Sequence, residues 1–272
     1  MILLGQMENM TNTTLPKDSS LQDFPALLLV GGLGTRLRPA VSSTPKPLAL
    51  IGDIPFLQLL VLQLRSQGIR RIVMCTGFQS GQIKDEFGDG SKWDVAIEYS
   101  NETSPLGTAG AIKLAAGFLP QATEFLVLNG DSFLELDFRE LFRFHHAHHG
   151  LATLAVHRVK DAARYGTVQL DAQNRIFRFS EKLGTPAPGT INGGVYIFNR
   201  EVLRYIPEGP VSLEKDILPS LLEHGVFALE QNGMFIDIGT PEDYARAQAL
   251  YENLYQAAVL RSQVGPNKSG SR

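Results

Sequence analysis

The feature that most constrains this chain is an apolar run that ends in glycines. Ala26-Leu27-Leu28-Leu29-Val30 is followed by Gly31-Gly32-Leu33-Gly34-Thr35-Arg36. Five consecutive apolar residues fit a strand buried on both faces, as in a parallel sheet. Glycines at its carboxyl end leave backbone N–H groups free to point at an anion, at the edge where α/β sheets bind ligands. Three readings of this loop compete. A dinucleotide site needs G-x-G-x-x-G opening a helix; Gly32 and Gly34 fit, but Leu37 stands at the third position, and Pro39, Pro45 and Pro47 break any crossover helix. A P-loop needs G-x-x-x-x-G-K-[ST], which this segment does not supply. The third reading uses the prolines: they stiffen a long excursion that can fold two cations, Arg36 and Lys46, over phosphates held by the loop. The bland alternative, solvated loop charges, remains open for the loop taken alone.

The rest of the first half repeats strand, helix, strand. The pattern predicts a helix over 56–67 closed by Gly68, then a strand over 71–76 and a helix over 80–87. A strand over 95–99, a helix over 108–118 and a buried strand over 125–128 follow. Such alternation predicts a mostly parallel sheet with helices on both faces. After Asp131 strands dominate, over 151–158, 167–170, 176–180 and 192–198, which predicts mixed or antiparallel additions to the same sheet. Helices are expected over 212–223 and 241–260, the second with Thr240 as N-cap and Pro241 at its first position. Residues 1–23 read as a disordered extension, 24–260 as one domain and 261–272 as a disordered tail.

Composition narrows the partners. With a net charge of -3, 43% hydrophobic and 19% charged residues, the chain reads as soluble and lacks the basic excess that nucleic acid demands. No run approaches the roughly 20 apolar residues of a membrane helix. The single cysteine, Cys75, lies in an apolar run and reads as a buried structural thiol rather than a nucleophile. A cytoplasmic location fits. Whether the chain works alone or as a homo-oligomer is not legible.

Taken together, Gly31-Gly32-Leu33-Gly34-Thr35-Arg36-Leu37 and Thr44-Pro45-Lys46-Pro47-Leu48 resemble the G-G-x-G-T-R-L…P-K-P pattern of the sugar nucleotidyltransferases. The similarity continues through Leu106-Gly107-Thr108-Ala109-Gly110, Leu128-Asn129-Gly130-Asp131, Glu181-Lys182, Asn192-Gly193-Gly194 and Ile236-Asp237-Ile238-Gly239-Thr240, so it covers about residues 25–255. Among subfamilies the chain is most similar to the D-glycero-D-manno-heptose 1-phosphate guanylyltransferases, with the mannose-1-phosphate guanylyltransferases close behind. The resemblance implies an α/β, Rossmann-like three-layer αβα fold of GT-A-like type on a mostly parallel mixed sheet. It implies a nucleoside triphosphate and a sugar 1-phosphate as partners and Mg²⁺ as cofactor.

Site residues follow from the same match. Arg36 and Lys46 would act on the phosphates, with Gly31, Gly32, Gly34 and Thr35 cradling them. Gly107 and Thr108 would approach the base. Asp131 and Asp237 both follow apolar strands, so they emerge at one sheet edge, and two carboxylates there suit Mg²⁺, which takes few protein oxygens beside phosphate and water. On the sugar side, Lys182 would hold the acceptor phosphate and Glu181 its hydroxyls, with Tyr165 and Gly166 as a wall and Asn192 supplying amide contacts. Ser212-Leu213-Glu214-Lys215-Asp216 is equally well explained as a helix cap. His145, His146, His148 and His149 invite a metal reading, but no carboxylate pattern accompanies them, and a solvated helix end is expected. Two rivals stand beside the enzyme: an NAD-dependent oxidoreductase and a non-catalytic sugar-nucleotide-binding protein.

Overall fold

The computed structural model describes residues 21–32, 37, 44–77, 79–119, 121–180 and 184–260. In the first half, β1 (Pro25–Leu29) is followed by a small hairpin, β2 (Leu50–Ile51) and β3 (Ile54–Pro55). Then come α1 (Phe56–Ser66), β4 (Arg71–Thr76), α2 (Ser80–Phe87), β5 (Ala96–Asn101), α3 (Gly107–Ala115) and β6 (Glu124–Asn129). The second half runs β7 (Ser132–Leu134), α4 (Phe138–His148), β8 (Ala152–Val159), β9 (Thr167–Leu170), β10 (Ile176–Ser180) and β11 (Gly189–Asn199). It closes with α5 (Leu218–Ser220), β12 (Val226–Gln231), β13 (Phe235–Asp237), α6 (Pro241–Ala249) and α7 (Tyr251–Leu260).

The main sheet runs β10-β9-β11-β6-β1-β4-β5, with β8 paired to β11 and β12 to β8. Strands β6, β1, β4 and β5 are mutually parallel; β11 lies antiparallel to β6 and starts the mixed half. Alternation along β1 makes the three layers: Ala26 and Leu28 pack with α1, α4 and α7, while Leu27 packs with α3 on the other face. This is the mixed αβα sheet expected. Parallel pairing brings the carboxyl ends of β1, β4, β5 and β6 to one edge, where the site forms.

Most predicted elements sit within two residues of the observed ones, and Gly68, at φ +95°, follows the end of α1 as the C-terminal signal required. Three differ. The helix expected over 212–223 breaks up: Ser212 O accepts from both Asp216 N and Ile217 N, widening the first turn, and Pro219 supplies no N–H, so a π-turn, α5 and a 3-10 turn follow in succession. The helix expected over 241–260 breaks at Leu250, where Gln248 and Tyr244 bind Leu50 O and the Tyr251 ring lies on Gly52, so the joint grips the β2–β3 hairpin. The solvated histidine end is corrected at His145. It is buried, with Nδ1 2.8 Å from Thr153 Oγ1, and burial pushes its pKa down to about 4. His146 meets Glu124 at 2.7 Å, and His149 ends α4 in a left-handed turn.

Residues 1–20 and 261–272 lie outside the described residues, whereas Leu21–Asp23 form a 3-10 turn with Leu21 against the core. Among the described residues no helix is long and apolar enough to cross a membrane.

Candidate active site

A cavity of about 930 Å³ opens at the carboxyl edge of the parallel strands. That volume lies within the range that takes a small-molecule or cofactor ligand. Its wall brings together Gly31, Gly32, Gly107, Thr108, Asp131, Tyr165, Gly166, Asn192 and Asp237, nine of the residues expected from sequence. Lys46 reaches the same place through its contacts with the two aspartates. Gly34, Thr35, Arg36, Glu181 and Lys182 lie outside the described residues.

The two glycines at the end of β1 serve different needs. A Cβ on Gly31 would come 3.0 Å from Glu102 Oε1 and 3.3 Å from Gly77 N, so a larger residue would have to push these neighbours aside by a few tenths of an ångström. A Cβ on Gly32 would meet nothing within 4 Å, so that backbone faces open space.

The charged centre forms where two chain reversals meet. β7 and β13 pair antiparallel with Asp237 opposite Ser132, and Ile238 N donates to Asp131 O at 3.0 Å, so both aspartates stand at one end of this ribbon. Lys46, in a 3-10 turn held by Pro45 and Pro47, sends Nζ to 2.7 Å from Asp131 Oδ2 and 3.8 Å from Asp237 Oδ1. Burial, then the Asp131 charge, raise the Asp237 pKa, and Lys46 opposes them.

Among the described residues, three buried polar atoms of cavity-lining side chains have no hydrogen-bond partner: Asn129 Oδ1, Ser132 Oγ and Asp237 Oδ1. Buried polar atoms are rarely left unpaired, so these are groups waiting for a ligand, an ion or water. The residues present therefore fit Mg²⁺: a hard oxygen from each aspartate, one of them an unsatisfied Asp237 oxygen, with room for phosphate and water. Among the described residues no group of three His, Cys, Asp or Glu side chains could hold a metal on its own.

Sequence reading singled out neither Asn129 nor Ser132 as a site residue. Their signal was a polar pair flanking Gly130-Asp131 at the end of an apolar strand. Gly194, at φ +76°, makes room for both: a Cβ there would sit 2.6 Å from Ser132 Oγ and 3.1 Å from Asn129 Nδ2. Glu102 was missed too; it closes the wall behind Gly31, and its Oε2 accepts from Leu106 N at 3.0 Å.

The remaining wall is pre-set by internal bonds. Thr108 Oγ1 donates to Glu214 Oε2 at 2.8 Å and accepts from Leu213 N at 2.7 Å, so its hydroxyl anchors the 212–216 segment. Glu214 Oε1 accepts from Tyr196 Oη at 3.4 Å, and Tyr196 Oη accepts from Asn192 Nδ2 at 2.8 Å. Asn192 Oδ1 accepts from Gly194 N at 3.0 Å, which orients the amide at the β11 bulge. Tyr165 stands edge-on to Phe235, centroids 5.9 Å apart, and a Cβ on Gly166 would meet only Ser180 O at 3.5 Å. Cys75 is buried at the cavity floor, its thiol pushed up to about 12 by burial and then by Glu102, which fits the inert thiol expected.

Known proteins are similar to this chain in sequence and fold. The family model described as nucleotidyl transferase matches residues 25–253. Mannose-1-phosphate guanylyltransferase of Mycobacterium tuberculosis is 38% identical over 245 residues, 88% of this chain and 68% of that protein. The mannose-1-phosphate guanylyltransferase catalytic subunit beta of Drosophila melanogaster is 36% identical over 250 residues, 90% of this chain and 68% of its own. The crystal structure of HddC from Yersinia pseudotuberculosis complexed with GMP-PN matches with a TM-score of 0.76 at 32% identity, covering 84% of this chain and 99% of that one. With a glycine loop, a lysine between two aspartates and a family match across nearly all the described residues, the chain belongs to the nucleotidyl transferase family.

Proposed function

We propose that this chain is a sugar-1-phosphate guanylyltransferase: it joins the guanylyl group of GTP to a sugar 1-phosphate, D-glycero-α-D-manno-heptose 1-phosphate foremost, and releases pyrophosphate. The observation that carries the reading is Lys46 poised at 2.7 and 3.8 Å from Asp131 and Asp237, two aspartates that line a cavity of about 930 Å³. Guanine is favoured by the names of the two relatives and by the GMP-PN in the HddC crystal. Mannose 1-phosphate is the second acceptor, favoured by 38% identity to the Mycobacterium tuberculosis protein against 32% to HddC.

The acceptor phosphate oxygen is already ionised at pH 7, so it attacks the α-phosphorus in line without a general base. Catalysis then rests on alignment and electrostatics. Lys46 offsets charge growing on the α-phosphate, while Arg36 and the amides of Gly31, Gly32, Gly34 and Thr35 hold the leaving pyrophosphate. The backbone of Gly107 and Thr108 borders the base. Lys182 holds the acceptor phosphate, Glu181 and Asn192 take its hydroxyls, and Tyr165 and Gly166 form its wall. Asp131 and Asp237 would hold Mg²⁺, which when bound supplies charge neutralisation at the α-phosphate. The reaction belongs in the cytoplasm, and its product is an activated sugar for surface polysaccharide.

The test is pyrophosphate release with Mg²⁺, crossing GTP, UTP, dTTP, CTP and ATP with heptose, mannose and glucose 1-phosphates. GTP with a manno-configured acceptor should exceed every other pair by at least about tenfold, the size of one 1.4 kcal/mol discrimination. A preference for dTTP or UTP with glucose 1-phosphate would reassign the substrates. No release with any pair would leave a sugar-nucleotide-binding protein.

A further inference from the structure

The acceptor wall and the metal carboxylate belong to distant stretches of chain. Tyr165 and Gly166 sit in the turn between β8 and β9, whereas Asp237 ends β13 and leads through Gly239 and Thr240 into α6. Arg164 joins them. Its Nη2 donates to Asp243 Oδ2 at 2.6 Å and its Nη1 to Thr240 Oγ1 at 3.1 Å, spanning the chain between residues 164 and 243. The Asp243 side chain is only 6% exposed, so this end of the bridge is desolvated, while the Arg164 side chain is 49% exposed and Arg164 lines the cavity.

Capping of α6 does not require the arginine. Thr240 Oγ1 accepts from Asp243 N at 3.2 Å and donates to Asp243 Oδ2 at 2.9 Å, so the helix start is closed by its own residues, and Arg246 stands 3.5 Å from Asp243 Oδ1. What Arg164 adds is a fork reaching two acceptors just after the Asp237 segment. On the other side of the same turn, the Tyr165 ring leans on Phe235, two residues before Asp237. The acceptor turn is thus fastened to the Asp237 segment both before and after the carboxylate.

We propose that Arg164 is a positioning residue that couples filling of the sugar-phosphate subsite to the placement of the Asp237 carboxylate. This rests on the guanylyltransferase reading above. An acceptor packed against Tyr165 and Gly166 holds the turn still, and Arg164 passes that restraint to Thr240 and Asp243. Binding linkage makes the effect mutual: a filled metal–nucleotide site tightens acceptor binding by the same factor.

The test uses the full chain, Mn²⁺ as the metal probe, a GTP analogue with a non-transferable α,β-methylene bridge, and mannose 1-phosphate. Free Mn²⁺ is read by electron paramagnetic resonance with and without the sugar phosphate, in the wild type, Arg164→Met and Arg164→Lys. Methionine keeps an aliphatic stem and leaves the Thr240–Asp243 cap intact; lysine can reach one acceptor but not both. The wild type should bind Mn²⁺ at least about fivefold more tightly when mannose 1-phosphate is present, the lower end of common coupling. Arg164→Met should bring that ratio near one and, by the same linkage, weaken mannose 1-phosphate binding to the metal–nucleotide complex about fivefold while leaving its binding to the empty enzyme unchanged; Arg164→Lys should recover part of the ratio. A wild-type ratio near one, a full ratio in Arg164→Met, or an equal loss of mannose 1-phosphate binding with and without the metal–nucleotide complex would each overturn the role. If the wild type releases no pyrophosphate from GTP with any sugar phosphate, the guanylyltransferase reading fails, and Arg164 with it.

Discussion

Replacing Asp237 with asparagine removes one negative charge while keeping the size and shape of the side chain. In the metal-free chain the carboxylate lies 3.8 Å from Lys46 Nζ, an attraction of about 4 kcal/mol at an effective dielectric constant of ~20. Burial and the Asp131 charge outweigh it, since the Asp237 pKa lies above the ordinary carboxylate value. A raised carboxylate pKa in the folded state means that ionisation destabilises the fold. Its contribution is fully present below the unfolded pKa and is lost as pH rises through the folded one. At pH 7 without metal, Asp237 is therefore a net burden, and Asp237→Asn should stabilise the chain by about 1 kcal/mol, the usual size for relief at a functional site, or roughly 2–4 °C in Tm. The same change removes one of the two carboxylates proposed to hold Mg²⁺, and turnover should fall by at least about a hundredfold, or ~3 kcal/mol in the transition state. Calorimetry in chelator at pH 5 and pH 7, with pyrophosphate release in Mg²⁺, reads both effects. The gain in Tm should be larger at pH 7. A variant less stable than wild type in chelator, or one with near-normal turnover, refutes the reasoning.

Two other perturbations report on the frame around the site. His145 is held neutral by burial with a pKa near 4 against 6.5 in the unfolded chain, so its contribution is complete above pH 6.5 and drains away as pH falls toward 4, by about 3 kcal/mol at most. Urea titrations should show that slope in the wild type and a shallower one in His145→Asn; equal slopes would contradict the buried neutral histidine. Gly194→Ala places a methyl 2.6 Å from Ser132 Oγ at a backbone φ of +76°, and should lose about 1–3 kcal/mol of stability and at least about tenfold in turnover. Wild-type kinetics and Tm would show that Asn129 and Ser132 need no such clearance.

Local signals in the sequence were good guides to local structure. The apolar run of β1, the glycine after α1 and the Thr240-Pro241 start of α6 each depend on neighbours within a few residues, and each formed as expected. Errors arose where distant contacts decide. The joint at Leu250 exists because α6 and α7 must close on the β2–β3 hairpin, whose Leu50 O lies 194 and 198 residues away from its partners Tyr244 and Gln248. His145 looked like surface because the sequence does not show Thr153 and Glu124 closing over it. The candidate site was legible as a set of residues, through motif resemblance, but not as a geometry. Lys46 and Asp131 are 85 residues apart, and only the register of β7 on β13 brings Asp237 beside them. Asn129 and Ser132 escaped notice because nothing local marks a polar side chain as unpartnered.

The claim at the centre is that Lys46 and Asp131 form the reaction centre rather than a structural ion pair. The most direct measurement is pyrophosphate release from GTP and the preferred sugar 1-phosphate by Lys46→Ala and Asp131→Asn, alongside thermal unfolding of each. Both variants should remain folded and unfold cooperatively, Lys46→Ala at a lower Tm because two carboxylates lose their counter-charge, and both should fall to about one hundredth of the wild-type rate or less. Near-normal rates in either folded variant would contradict the claim.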